Sequence, residues 1–573
     1  MGGLPAYRAR LGLTLPTSRR DVGAVAALLA FPPAAGFLLG WSAYLIAWQQ
    51  VVAAFILLGA CAGTLAAALA RGWTLRPSAS PARPHFLFVI GFLLSLVLAI
   101  GPMQGFANSA DEYGYNFLAD LMMHGRLWRA APDLPETALP LYTFVRDGKW
   151  LSQYSPGWSA LLAGASLAGL PRLLVNPLLA LASALLLWRA LLLMGTSRGI
   201  ALIALLSTVA TPFWVFNSAS LFNHGTALAG VALILYAAAR DEAAPSRAAK
   251  LAVGFGFGVI AATRYEVLAV VAPLFAGDML WRRRRHAIAD APWYVIGAVP
   301  LLAALLTYDW AITGDPLQLV QAWYGRGTSL GLDGVGYSRQ HSLSRALGHH
   351  FLWTGKLIAF AGPVTCLIGG LCLAAKAVER RLRWYDLLLP GAALFFFFFP
   401  DDGGFQYGPR YWHFALPGIA ATIATGLPAA GRLLARHRLA ADAGFARFAV
   451  ALQLLYALGL TVAYSTYLDR QADARRLPFT MAEQHNVRDA VILMWGPAFT
   501  YRLARWEAKL RTEDVADLLR DDPHNLYVGA SEATIAEICR RQHGRSIFSA
   551  EIDPATAAGA LRPFDCDAIL AAH

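Results

Sequence analysis

The sequence predicts an all-α polytopic membrane protein with a small α/β domain at its C-terminal end. Three observations predict it. Of 573 residues, 57% are hydrophobic and 15% are charged, whereas a soluble chain carries about 25% charged residues. The mean hydropathy is +0.47, and the apolar residues gather into runs of roughly 20, the length that crosses a bilayer. After residue 466 the composition turns polar. The net charge of +12 does not indicate nucleic-acid binding. The basic residues cluster in short segments between apolar runs, where they orient a membrane protein and meet anionic lipid.

Taken in order, the candidate spans are roughly 22–46, 51–70, 85–103, 174–194, 199–215, 222–240, 292–312, 352–375, 385–400, 411–431 and 445–466. With two harder segments the total is about eleven to thirteen helices. Residues 157–170 are apolar but short and end at Pro171-Arg172, which suits a re-entrant or interfacial helix. Residues 251–281 form one apolar run interrupted by Arg264-Tyr265-Glu266. It reads as two half-length helices meeting at a polar turn, which a membrane tolerates where the turn lines a protein cavity. Gly254, Gly256 and Gly258 in that run suit close helix packing, not phosphate binding.

Arg8, Arg10, Arg19 and Arg20 place the N-terminus in the cytoplasm, and the clusters Arg282–Arg285, Lys376–Arg383 and Arg432–Arg438 mark later cytoplasmic turns. The loops 104–156, 313–350 and 401–410 then face outward, as does the tail after 466. Within the tail, Asp489–Met494, Asn525–Val528 and Ser546–Phe548 read as strands and Glu532–Arg541 as a helix. Cys539 and Cys566 there are a disulfide in an oxidising compartment or two free thiols. Cys61, Cys366 and Cys372 read as small core residues.

Four constellations carry candidate chemistry. The first outward loop opens an amphipathic segment, Asp111 to Trp128, with Asp111-Glu112 at its head. Charge beside a bilayer is costly and tends to stay where it acts. A carboxylate there suits deprotonation of an acceptor hydroxyl. The bland reading is a cap on a helix whose positive end favours negative charge. Tyr115, Lys149 and Tyr154 belong to the same loop, with Lys149 a candidate for an anionic headgroup. The second is Arg264-Tyr265-Glu266, either a self-neutralised pair or an arginine turned to a phosphate. The third runs Asp401-Asp402-Gly403-Gly404 to Gly408-Pro409-Arg410-Tyr411. Glycine and proline there shape a tight loop that presents Arg410, against the plain reading of a snorkelling arginine in an aromatic belt. Adjacent aspartates alone are weak grounds for a metal. The fourth comprises two polar pairs at helix ends, Asn223-His224, where a lone histidine is more often a satisfied interfacial residue, and Tyr308-Asp309. No repeat and no metal-type Cys/His spacing occurs.

In order and spacing, Asp111-Glu112 with Tyr115, Lys149 before Tyr154–Trp158, Thr263–Glu266 and Gly408–Tyr411 resemble the GT-C superfamily of integral-membrane glycosyltransferases. The aminoarabinose transferases and protein O-mannosyltransferases are its best-known members. The resemblance covers roughly residues 85–466. It implies a catalytic domain over 85–466; the helical hairpin over 1–84 and the extracytoplasmic α/β domain over 467–573 are additions to that common core. It implies sugar transfer from a polyprenyl-phosphate donor to a lipid, glycan or protein acceptor at the outer face of the inner membrane, with inversion. Asp111 and Glu112 would be catalytic. Lys149, Arg264 and Arg410 would bind the donor phosphate, and Tyr115, Tyr154, His224, Asp309 and Tyr411 the substrates. No cofactor is expected, and a divalent metal is not favoured. The sequence departs from the family where Trp150, not proline, follows Lys149, and where Asn223-His224 stand in place of an acidic residue. The rival readings are a lipid-linked glycan flippase, which should show inverted repeats, and a glycan ligase or polymerase.

Overall fold

The structure is a computed structural model that describes residues 30–38, 47–70, 85–105, 107–131, 142–323, 331–332, 335–336, 339–400, 404, 406–437, 439, 443–494, 525–529, 534–542, 544–553 and 558–572. The Asp401-Asp402 pair and the first candidate cytoplasmic arginines lie outside these residues.

Helices dominate because the apolar runs hold leucine, alanine and phenylalanine with few breakers, and in a bilayer a helix satisfies its own backbone. Among the described residues six helices are long and apolar enough to span, or eight when each of two bent pairs counts as one. The chain is a multi-pass membrane protein. Helix α1 spans Ala47–Ala70 and α2 spans His85–Ile100. The amphipathic segment forms α3, Ala110–Met123, and stops at His124 before Gly125 at φ +67°. It ends short of the expected Trp128 because the chain enters a small sheet, with β1 at Arg129–Ala130, β2 at Thr143–Arg146 and β3 at Lys149–Ser152. Asp147 and Gly148, at φ +50° and +71°, make the two-residue turn between β2 and β3, the Asp-Gly arrangement that matches strand twist.

Helix α4, Pro156–Leu167, has 12 residues. At 1.5 Å per residue it falls well short of a bilayer's width, so it does not cross. Helix α5 spans Val175–Leu193. The expected 199–215 span is two helices, α6 Arg198–Val209 and α7 Pro212–Ala219, bent by 59°. Helix α8, His224–Ala243, packs on α9, Arg247–Thr313. The expected polar turn is a single non-helical residue inside α9, Arg264 at φ −150° and ψ 73°, and a second break falls at Arg283. The chain folds back at this second break, so Arg247–Arg284 and His286–Thr313 are two helices packed against each other, and the arginine cluster 282–285 lies at the turn between them.

The glycines of α9 pack as expected. A Cβ on Gly254 would lie 2.0 Å from Tyr294 O, and one on Gly256 2.7 Å from Ile234 Cγ1, so only glycine admits these backbone approaches. A short helix α10, Val320–Trp323, follows, then the strand pair β4 (Val335–Gly336) and β5 (Arg339–Gln340). The expected 352–375 span is broken instead. Helix α11, Leu343–Ala361, meets α12, Pro363–Val378, at 107°. The cause is Gly362 at φ +88° followed by proline, which ends one helix and starts another. Helices α13 (Leu388–Phe397) and α14 (Leu416–Arg436) complete the bundle.

Helix α15, Ala443–Gln484, runs 42 residues. It continues past 466, so the first 18 residues assigned to the tail extend a membrane helix. The tail sheet has the order β7-β6-β8-β9, with β6 at Ala490–Met494, β7 at Leu526–Gly529, β8 at Ser546–Asp553 and β9 at Ala558–Pro563. β6 is parallel to both neighbours, and all five of its residues are buried, as a central parallel strand requires. Helices α16 (Ile535–Arg541) and α17 (Cys566–Ala572) pack together, joined by a Cys539–Cys566 disulfide with a Cα–Cα distance of 5.5 Å. Of the two sequence alternatives, the disulfide forms.

Candidate active site

Ser109 caps α3 from extended backbone, and its hydroxyl accepts from Glu112 N at 3.3 Å. Asp111 and Glu112 therefore stand in the first turn, where amide dipoles favour negative charge. The helix then separates them. Asp111 is half-buried and Glu112 fully buried.

Both oxygens of Glu112 are taken. Oε2 accepts from Asn108 N at 2.5 Å and from the Ser109 hydroxyl at 3.2 Å, and Oε1 accepts from Leu221 N at 2.8 Å. Burial pushes its carboxyl up to about 7, against the opposing pull of the Leu221 and Asn108 amides and the Arg475 and Arg410 charges. Asp111 turns the other way. Its Oδ1 accepts from Tyr154 OH at 2.7 Å, and its Oδ2 lies 3.4 Å from Arg410 Nη2.

Tyr154 reaches Asp111 because residue 114 is glycine. A Cβ there would lie 2.6 Å from the Tyr154 ring. The Tyr115 and Tyr154 rings pack at 4.2 Å, and Tyr308 OH donates to Tyr154 O at 3.2 Å.

Arg264 leaves helical geometry and turns inward beside α4. Gly157 makes room, since a Cβ there would lie 2.6 Å from Ala262 O. Arg264 Nε donates to Glu266 Oε1 at 2.7 Å, so the self-neutralising pair does form. Its Nη1 also reaches Asn223 Oδ1 at 3.4 Å and His224 Nε2 at 3.0 Å. Arg410 approaches the same imidazole, with Nη1 3.4 Å from His224 Nε2. Two buried guanidinium groups thus flank one histidine. Arg264 lies 5.2 Å from the Tyr411 ring centroid, and Arg410 lies 3.9 Å over Phe222.

The turn carrying His224 is pinned from two sides. Glu112 holds Leu221 N, and Asn176 Nδ2 donates to Ser220 O at 2.6 Å and Phe222 O at 2.8 Å. Arg410 is set by a tight turn with Gly404 and Gly408 at φ +82° and +103°, closed by Arg410 N to Gly404 O at 2.9 Å.

The fold therefore joins Asp111, Tyr115, Tyr154, His224, Arg264, Arg410 and Tyr411. Two expected members stand apart. Lys149 opens β3 with its ammonium 4.4 Å over the Trp128 ring, because strand alternation turns Trp150 into the core and Lys149 away from it. Asp309 is buried beneath α10, where Oδ1 accepts from Val320 N at 3.3 Å and Oδ2 has no hydrogen-bond partner among the described residues. Asn176 and Phe222 were missed by the sequence reading. Each sits in an apolar run and carries no local signal. Among the described residues no group of three His, Cys, Asp or Glu side chains is placed to hold a metal.

No family model and no curated protein matches the sequence. Solved structures do match the fold. ArnT from Cupriavidus metallidurans in the apo state aligns at 13% identity and a TM-score of 0.50, over 84% of this chain and 98% of that one. The same protein bound to undecaprenyl phosphate aligns at 13% identity and 0.48, over 82% and 94%. Arabinofuranosyltransferase AftD from Mycobacteria aligns at 16% and 0.44, over 85% of this chain and 36% of that one. The chain resembles the GT-C glycosyltransferases and has the fold of that class of polytopic membrane proteins. Within that class its architecture is similar to that of ArnT over nearly the whole of the latter's length.

Proposed function

We propose that this protein is a membrane glycosyltransferase that moves a sugar from a polyprenyl-phosphate donor to an acceptor hydroxyl at the outer face of the inner membrane. The observation that carries the reading is the pair Arg264 and Arg410 converging on His224, with the Asp111 carboxylate on the far side of Arg410. Two buried cations side by side repel each other and are costly to desolvate. An anion between them relieves both costs, and phosphate matches the guanidinium fork.

In the proposed reaction the acceptor oxygen attacks the anomeric carbon as the bond from that carbon to the phosphate oxygen breaks. The carrier phosphate departs as an anion, and Arg264 and Arg410 stabilise the charge it gains. Asp111 takes the acceptor proton, and Tyr154 OH fixes the carboxylate's direction. Glu112, held by three donors, positions Asp111 and the Leu221–His224 turn. The aromatic rings of Tyr115 and Tyr411 flank the substrates. Inversion follows from a single displacement, and no cofactor takes part. Lipid, glycan or protein is the acceptor class. The Cys539–Cys566 disulfide supports an oxidising compartment for the tail and hence the outward orientation.

The test is sugar transfer by the purified protein from a panel of polyprenyl-phosphate sugars, beside a folded Asp111→Asn variant. Transfer that the variant loses supports the reading. Equal activity removes Asp111 from the base role. No donor consumption, with labelled lipid crossing liposome bilayers, replaces the enzyme reading with a transporter.

A further inference from the structure

Helix α15 does more than cross the membrane. Its last turns lie against the loop that precedes α3. Arg476 Nη1 donates to Gln104 Oε1 at 3.1 Å, while Gln104 Nε2 donates to Asp469 Oδ1 at 3.1 Å and Asp473 Oδ1 at 2.8 Å. One residue earlier, Arg475 Nη1 donates to the Asn108 carbonyl and to Asn108 Oδ1, the latter at 3.0 Å. The amide of that same Asn108 donates to Glu112, whose other oxygen holds Leu221 N, and Leu221 leads directly to Phe222 beneath Arg410 and His224 between the arginines. The hydrogen bonds thus run from α15 through Asn108 and Glu112 to Leu221, and the backbone carries the link on to His224 and to Asp111.

We propose that Arg475 is a positioning residue for the transfer reaction: it locks Asn108, and through Asn108 and Glu112 it sets Asp111 against the Arg264–His224–Arg410 group. This deepens the function proposed above and rests on it for the catalytic consequence, but the lock itself does not depend on that function.

The physical case has three parts. Glu112 is a buried carboxylate whose hydrogen bonds come mainly from backbone amides, so its place is fixed only as well as those amides are fixed. Asn108 supplies one of them from irregular backbone before the cap, where no helix ladder holds it. Arg475 grips that residue at its carbonyl and side chain together, both through Nη1, at the end of a planar group longer and more rigid than a lysine ammonium. The charged and titratable groups facing Glu112 from packed elements are Arg475 on α15, Arg410 and Tyr407. The Arg475 charge therefore also helps keep Glu112 ionised.

The tail is thereby linked to catalysis without contributing a reacting group. α15 leads within a few residues into β6 of the outer domain, so a shift of that domain is passed to Asn108.

Two measurements on the full chain in detergent test this. The first is the thermal unfolding midpoint of the wild type, Arg475→Ala, Glu112→Gln and the double variant. The lock predicts that the double variant is no less stable than the worse single variant. Additive losses overturn the lock. The second is donor kinetics. Arg475→Ala is expected to lower kcat at least roughly tenfold with donor KM little changed, and to move the acidic limb of the pH profile upward. Arg475→Lys should restore the limb but not the full rate. Unchanged kcat, or a change in KM alone, overturns the positioning role. Should Arg475→Ala fail to fold, Arg475→Gln, which keeps a planar donor and loses the charge, takes its place in both measurements. If the wild type transfers no sugar from any donor, the function has failed, and the first measurement still decides the lock.

Discussion

Arg410 Nη2 lies 3.4 Å from Asp111 Oδ2, across 299 residues of sequence. The contact joins the segment that opens α3 to the turn before α14 and sets a cation beside the one carboxylate oxygen that does not face Tyr154. In the proposed reaction, the proton acceptor and the charge that stabilises the leaving phosphate thus share one site.

Asp111→Asn keeps the shape and removes the charge. Transfer is expected to fall by roughly 10²–10⁴-fold, with donor affinity largely retained. Turnover and binding of a polyprenyl phosphate, measured side by side, check it. Weakened binding with unchanged turnover would contradict the assignment.

Arg264→Lys and Arg410→Lys are expected to behave as losses, not as conservative changes. Arg264 uses Nε for Glu266 and Nη1 for Asn223 and His224, a fork that an ammonium cannot reproduce. Each variant should lower kcat/KM by roughly 10²–10³-fold. Lys149→Ala, by contrast, should have an effect under about tenfold, because its ammonium rests on Trp128.

Gly114→Ala tests the packing behind Asp111. A methyl group 2.6 Å from the Tyr154 ring forces the ring away and breaks its hydrogen bond to Asp111. The expected cost is about 1–3 kcal/mol of stability, with turnover falling further than an equally destabilising change elsewhere. Thermal unfolding and turnover measured on the same preparation separate the two.

The Glu112 carboxyl, raised by burial from 4.5 to about 7, gives stability a direction in pH. A group that holds its proton more tightly when folded stabilises the fold below its unfolded value and loses that contribution as pH rises through its folded value. The unfolding midpoint is expected to fall between about pH 4.5 and 7, by an amount on the order of 3 kcal/mol for this group. Glu112→Gln, which has no proton to lose there, should be flatter across that window. A wild-type midpoint flat from pH 4.5 to 7 would contradict it.

Reduction of Cys539–Cys566, which closes a separation of 27 residues, is expected to lower tail stability by about 2–4 kcal/mol. The membrane helices should be unaffected. Limited proteolysis with and without a reductant reads this directly, and cleavage within the helical bundle would count against it.

Much of the site was legible because buried charge is conspicuous in an apolar sequence. Asp111, Arg264 and Arg410 stood out for that reason, and Gly408-Pro409 announced the turn that places Arg410. Lys149 stood out equally and does not join them. Its strand partner Trp150 claims the inward face, and which face of a hairpin turns inward depends on what packs against it. Arg475 looked like one more charge in a polar stretch, since nothing local distinguishes an arginine that reaches solvent from one that reaches Asn108.

The sequence by itself determined the helical membrane class, the α/β tail and the close-packing glycines of α9. These follow from short-range rules: run length against bilayer width, alternation along strands, and the absence of a Cβ. Tertiary structure alone decided that α15 runs on to Gln484, and that Asp111 faces Arg410 while Glu112 ties down Leu221. Those outcomes depend on which distant backbone amides and rings arrive beside a given side chain. Neighbouring carboxylates one residue apart on a helix point about 100° away from each other, and only the surrounding fold assigns one to the structure and leaves the other facing Arg410 and Tyr154.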